Sequence, residues 1–408
     1  MPVERLEKVL AGEVATLRER GVAKGDEHVV RGVIPAQGDR GPRYLLEGRG
    51  ENPFLRMNSN SYLGLAMRDE LARAEEGAGR AFGVGPGAVR FISGTYTPHV
   101  ELERALAAFH GRKAGMIFSS AYATTLGVMA PLITAETAVI SDALNHNCII
   151  NAMRLARPKS KSVYAHLDLG ELEAQLEAAA ADGARRAIVV TDGIFSMRGD
   201  HAPLDEIAGL VRRFDERFPE NALLMVDDSH GVGAFGETGR GTEEATGGRA
   251  DLLVATLGKA LGVNGGYVVG SRGLVDYLRE TAPLYIYSNP ITCGEAAAAL
   301  AALEILDSEE GRGLLAHLRE LTRRFQQGLV EAGFETIPGE HPVVPLMVRD
   351  TARTAALVRH LEENGVLATG LNYPVVPRGD EEIRFQVNAD HTVGDIEGVL
   401  EVLRRFER

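Results

Sequence analysis

The sequence predicts an α/β protein: a large domain built on a mostly parallel central sheet, followed by a smaller C-terminal α+β domain. Three features predict it. Uninterrupted apolar runs at 187–191, 223–226, 252–255 and 267–269 lack polar alternation, as strands covered on both faces do. The first two runs are separated by a helical pattern over 204–214, the crossover that parallel strands need. Past a break at Asn289-Pro290-Ile291-Thr292-Cys293-Gly294, the pattern changes to longer helices with short apolar runs between them.

In chain order, residues 3–20 read as an amphipathic helix. Its apolar stripe is Leu6, Val9, Leu10, Val14 and Leu17, at helical intervals. A Gly- and Arg-rich stretch over 32–56 shows no clear period. This N-terminal segment is expected to pack against one or both domains. The α/β alternation begins near residue 58. After the break, an Ala-rich helix over 295–306 has small side chains that permit close packing. Further helices are expected at 310–332, 351–364 and 393–406, with strand-like runs at 343–348 and 383–387. The expected organisation is 1–57 as N-terminal helix and extended segment, 58–290 as the large domain and 291–408 as the small one.

Composition narrows the function. The chain has 408 residues, enough for two or three domains at roughly 150 residues each. Its net charge of −13 argues against a general nucleic-acid binder, which carries a basic surplus. A hydrophobic content of 45% argues against disorder. No signal peptide and no membrane insertion are expected, and two cysteines, Cys148 and Cys293, suit a reducing cytoplasm.

Three strand-like runs end in polar clusters: Asp192-Gly193-Ile194-Phe195-Ser196, Asp227-Asp228-Ser229-His230 and Thr256-Leu257-Gly258-Lys259. Ligands of open parallel sheets sit beyond the carboxyl ends of the strands, so the three clusters point to one site. Lys259 is one of only six lysines and the sole lysine of the last 247 residues. Between glycines and apolar residues it is either a surface loop lysine or a desolvated amine able to form a Schiff base with an aldehyde. The neighbouring sequence is not a phosphate-binding P-loop, since Ala260 stands where Ser or Thr is required.

Asp227 is either a helix cap or structural salt-bridge partner, or a partner for a pyridinium N–H. His230 is either a turn histidine or a ligand for a ring oxygen. Gly83-Val84-Gly85-Pro86-Gly87 follows a helical pattern and contains proline, so a dinucleotide fingerprint is rejected. Ser119-Ser120-Ala121-Tyr122 precedes a helical run; it is a cap or an anion site at a helix N-terminus. His146 alone reads as structural. Arg384, in a strand-like run, is either an internal ion pair or a clamp for a substrate carboxylate.

Together these motifs resemble the α-oxoamine synthases, fold-type-I enzymes that use pyridoxal 5′-phosphate (PLP). The resemblance runs from Gly21-Val22-Ala23-Lys24 to His391-Thr392. It includes Asn60-Ser61-Tyr62-Leu63-Gly64-Leu65, Val89-Arg90-Phe91-Ile92-Ser93-Gly94-Thr95, Asp142-Ala143-Leu144-Asn145-His146, Asp192-Gly193-Ile194-Phe195-Ser196-Met197, Asp227-Asp228-Ser229-His230, Thr256 to Gly262, Pro374-Val375-Val376-Pro377 and Ile383-Arg384.

The resemblance implies the roles. Lys259 would hold PLP as a Schiff base and move protons at the substrate α-carbon. Asp227 would pair with the pyridine nitrogen, His230 with the ring oxygen, and His146 would stack on the ring. Ser120, Ala121, Tyr122 and Thr256 would hold the phosphate, with Ser288 and Asn289 from a partner subunit of a homodimer. Asn60 and Arg384 would bind the amino-acid carboxylate, and Ser196 would sit near the ring oxygen or the acyl group. The implied reaction condenses a small amino acid, glycine best, with an acyl-CoA, acetyl-CoA best; the alternative within the family is alanine with a longer acyl thioester and loss of the carboxylate.

Departures from the family pattern fall at Thr125, Asn147, Arg198, Thr292, Cys293, Asn388 and Asp390; they bear on the substrates rather than on the cofactor. Two other classes compete. One is PLP chemistry without a thioester, such as an aminotransferase, because fold does not fix function. The other is a non-catalytic subunit, against which the retained Lys259 speaks.

Overall fold

The computed structural model describes residues 3–20, 23, 27–373 and 375–406. Gly21, Val22, Lys24 and Pro374, which belong to the resemblance segments, lie outside the described residues. The chain divides into two compact units, one of Asn60–Thr322 with Gly339–Pro342, the other of Met1–Ser59, Arg323–Pro338 and Val343–Arg408.

The first unit is built on a seven-stranded sheet. Its spatial order is Ala114–Phe118, Gly266–Gly270, Leu252–Thr256, Ala222–Asp227, Arg186–Asp192, Thr137–Asp142 and Ser160–Tyr164. The last five strands in that order run parallel. Gly266–Gly270 is antiparallel to both of its neighbours. The apolar runs behave as anticipated. Ile188 and Val190 join one core cluster and Ala187 and Val189 the other, because side chains alternate across a strand. A strand with both faces covered needs apolar residues at every position, and each fully buried Val, Leu or Ile contributes about 1.5–3 kcal/mol.

Helices cover both faces. Leu204–Phe214 has the length anticipated and buries Leu204, Ile207, Ala208, Val211 and Phe214. The Ala-rich helix, Cys293–Leu306, packs on Asp69–Phe82 and Thr97–Phe109. Those contacts carry the unit past the expected boundary at 290 to Thr322.

The second unit holds two four-stranded sheets. One is antiparallel: Glu335–Thr336, Val343–Met347, Glu382–Gln386 and Thr369–Leu371. The other joins Val30–Ile34, Arg43–Leu46, Pro53–Arg56 and Val366–Leu367. The aperiodic stretch over 32–56 thus carries three short strands joined by turns. Elements of four or five residues are too short to display a period, and long-range pairing specifies them. The N-terminal helix forms as Glu4–Glu19, yet it buries no residue. Its stripe, Leu6 to Leu17, stays 45–57% exposed, so the expected packing of that face is not found among the described residues.

Candidate active site

The carboxyl ends of the parallel strands share one edge of the sheet. Asp192 and Asp227 end neighbouring strands and are register partners; Asp142 and Thr256 end two others. A pocket opens there. Of the residues singled out from sequence it gathers Ala121, Tyr122, His146, Ser196, Asp227, His230 and Lys259. It also brings in Cys148, Asp192, Ile194 and Ser229, to which sequence reasoning gave no role. Asp192 and Ser229 carried a usable signal, since each lies in a polar cluster at a strand end.

Local structure positions each group. Asp227 accepts from the Ser229 N–H at 3.2 Å through Oδ1. Its Oδ2 lies 3.2 Å from the Thr125 hydroxyl and 3.6 Å from Cys148 Sγ. His146 caps the helix Asn147–Leu155, and its N–H donates to Asp192 Oδ2 at 3.1 Å. Burial, with the Lys259 charge in support and Asp227 opposing, holds the imidazole below its ordinary value. His146 is therefore neutral at pH 7. His230 Nδ1 is 2.6 Å from the hydroxyl of Tyr62, and its carbonyl accepts from His341 Nε2 at 2.9 Å. Tyr62 is fully buried and has φ +38°. Neither Tyr62 nor His341 stood out as a site residue in the sequence.

Ser120 caps the helix Ala121–Leu132 by accepting from Ala123 N at 3.1 Å. The first N–H groups of a helix lack intrahelical acceptors and favour an anion. This terminus approaches the sheet closely. A Cβ on Gly266 would lie 2.3 Å from Ala121 N, so only glycine fits there.

Other predicted residues sit elsewhere. Ser120, Thr256, Ser288 and Asn289 do not line this pocket. The Thr256 hydroxyl donates to Gly265 O and accepts from Gly258 N, which shapes the turn that carries Lys259. Asn60 Oδ1 is 3.4 Å from the Tyr62 hydroxyl. Arg384 belongs to the second unit, where the Gln386 side-chain oxygen accepts from it.

Most of the departures have structural partners. Thr125 faces Asp227. Asn147 accepts from the Tyr122 hydroxyl at 2.9 Å, a bond the usual alanine cannot make. Arg198 Nε donates to Asp200 at 2.9 Å. Thr292 forms a capping box with Glu295. Asn388 donates to Ser59 O and Gln386 O.

The pocket fits PLP chemically. It offers an amine for an aldehyde, a carboxylate for a ring nitrogen, a neutral imidazole to stack and a helix N-terminus for a phosphate. Two buried polar atoms at the pocket, Asp192 Oδ1 and Ser229 Oγ, have no protein partner, polar capacity that a bound ligand can use.

Comparison with known proteins agrees. The profile of the family "Aminotransferase class I and II" matches residues 52–403. The chain is 39% identical over 371 residues to an 8-amino-7-oxononanoate synthase of Thermosipho melanesiensis, covering 90% of each. It is 40% identical over 351 residues to a 2-amino-3-ketobutyrate coenzyme A ligase of Escherichia coli, covering 85% of this chain and 86% of the other. A high-resolution structure of SPT with a PLP internal aldimine superposes with a TM-score of 0.87 at 25% identity, covering 98% and 97%. With the lysine, aspartate and histidines of the motif converging on one pocket, the chain belongs to the aminotransferase class I and II family and, within it, to the α-oxoamine synthases.

Proposed function

We propose that this protein joins the α-carbon of a small amino acid to the acyl carbon of an acyl-CoA, breaking the acyl–sulfur bond and releasing CoA. Glycine and acetyl-CoA are the favoured pair, the reaction of a glycine C-acetyltransferase (2-amino-3-ketobutyrate CoA ligase). The observation that carries the reading is the meeting of Lys259, Asp227, His146 and His230 at one pocket. The relatives named 8-amino-7-oxononanoate synthase match about as well. They support a second reading, in which alanine meets a longer acyl thioester and the product loses its carboxylate.

PLP, when bound, supplies an electron sink for the negative charge left at the α-carbon. The chain's own groups do the rest. Lys259 Nζ takes the proton from the α-carbon; the new carbon–carbon bond fills that position, and the proton passes to the departing CoA thiol. The Asp227 carboxylate holds a proton on the ring nitrogen. The neutral His146 ring stacks on the cofactor face, and His230, oriented by Tyr62, donates to the ring oxygen together with Ser196. The N–H groups of Ala121 and Tyr122 bind the phosphate, and Ser120 and Thr256 hold the turns that present them and Lys259. By residue type Asn60 and Arg384 each suit the amino-acid carboxylate, an amide as a hydrogen-bond donor and a guanidinium as a matching fork.

We further propose a homodimer in which Ser288 and Asn289 reach the partner's phosphate, and a cytoplasmic location in keeping with two buried free cysteines. A monomer by sedimentation would contradict the dimer.

CoA-thiol release by the PLP-loaded protein across a grid of amino acids and acyl-CoAs tests the function. Release confined to glycine with acetyl-CoA supports the first reading. Release with alanine and long acyl thioesters supports the second. A visible cofactor with no release anywhere contradicts both.

A further inference from the structure

Three aspartates close neighbouring parallel strands, but they are not equally supplied with donors. Asp142 accepts from Leu144 N at 2.8 Å, Leu167 N at 2.9 Å and His166 Nδ1 at 3.0 Å. Asp227 accepts from Ser229 N, and the Thr125 hydroxyl and Cys148 thiol flank its other oxygen. Asp192 receives one bond, from the His146 N–H to Oδ2, and its Oδ1 has no protein partner. Both Asp192 and Asp227 line the pocket and are nearly inaccessible, at 4% and 6% exposure. Two buried carboxylates side by side do not both ionise, and the charge goes to the one with more donors.

We propose that Asp192 is a positioning residue of this site, a neutral carboxylic acid beside Asp227 that leaves the negative charge of the pair on Asp227 and steadies His146 through the backbone N–H. The inference rests on reading the pocket as the PLP site. An acid at Asp192 carries its proton on Oδ1, since Oδ2 already accepts from His146. It therefore presents a donor at the pocket, while Asp227 stays an acceptor able to hold a ring N–H.

The groups around Asp192 agree. Burial, and then the Asp227 charge, push its carboxyl well above the usual range, with Asp142 adding; the His146 N–H and the Lys259 charge pull the other way. The His146 ring is neutral, and burial pushes the Cys148 thiol up as well. Lys259 is the cation that draws Asp192 toward ionisation, against the charges of Asp227 and of Asp142, the latter paired with His166.

The test compares wild type with Asp192→Asn, which mimics the protonated acid. PLP affinity is read by absorbance, and thermal stability of the apoprotein is read against pH. A carboxyl raised on folding binds more protons folded than unfolded, so its contribution to stability is lost as pH rises from the ordinary aspartate value toward the raised one. Asn lacks that loss. We expect Asp192→Asn to bind PLP within about threefold of wild type, and its melting advantage over wild type to grow as pH rises above the ordinary aspartate value.

PLP affinity weakened roughly tenfold or more, with melting curves that stay parallel, would mean Asp192 is ionised and overturn the proposal. If the variant does not fold, the infrared spectrum of wild type at pH 8 decides, because Asp228, pushed by burial to about 7, is then mostly ionised. A protonated-carboxyl band supports the proposal and its absence overturns it. Failure of wild type to bind PLP would instead defeat the reading of the pocket, and the apoprotein melts would still test Asp192.

Discussion

Glu103 and Asp192 are both buried carboxyl groups of the same unit, and their surroundings are opposite. Glu103 is saturated. It accepts from Arg90 Nη1 at 3.1 Å and Nη2 at 3.2 Å, from Arg279 Nη2 at 2.7 Å and from the Ile117 N–H at 3.1 Å. Asp192 has one donor, an open oxygen and another carboxylate beside it. The first arrangement offsets the cost of burying charge with partners and holds the helix Thr97–Phe109 to the sheet. The second leaves polar capacity unused inside the protein, which is costly unless a ligand uses it. Burial of a charge therefore does not by itself mark a site; of these two carboxyls, the one with the open oxygen is the one at the pocket.

The largest expected effect is at the open region. Lys259→Ala should lower turnover by at least roughly 10³-fold and abolish covalent PLP attachment while circular dichroism stays native. Retained turnover would sink the assignment. At the saturated region the effect should fall on stability instead. Glu103→Gln leaves two guanidinium groups without their carboxylate and should cost about 3–5 kcal/mol in denaturant unfolding. Turnover per folded molecule should be unchanged, and an unaltered unfolding midpoint would remove the contrast between the two carboxyls.

Smaller effects sharpen the comparison. Arg384→Ala should raise the amino-acid KM by roughly 10- to 100-fold, the scale of a charged hydrogen bond, with PLP affinity kept. Loss of PLP instead would make Arg384 structural. Tyr62→Phe removes the hydroxyl beside His230 Nδ1 and should weaken PLP binding by about fivefold, near 1 kcal/mol. Identical affinity would mean that His230 is oriented by other contacts.

Much of the site was legible because strand ends are legible. The apolar runs before Asp192, Asp227 and Thr256 are buried strands, with Leu223 alone partly exposed, and topology then places whatever follows them at one edge. Tyr62 and His341 were not legible, because their bonds to His230 span 168 and 111 residues. The short strands Val30–Ile34, Arg43–Leu46 and Pro53–Arg56 were missed for the same reason: remote pairing defines them. The helix Glu4–Glu19 teaches the converse. Its apolar period set the helix correctly, but a period states which face is apolar and not what covers it.

Borohydride reduction of the PLP-loaded protein, followed by peptide mass spectrometry, tests the central claim most directly, because reduction fixes the cofactor to the amine that holds it. The account predicts a pyridoxyl adduct on Lys259 alone. An adduct on any of the other five lysines, or none despite bound cofactor, would contradict it.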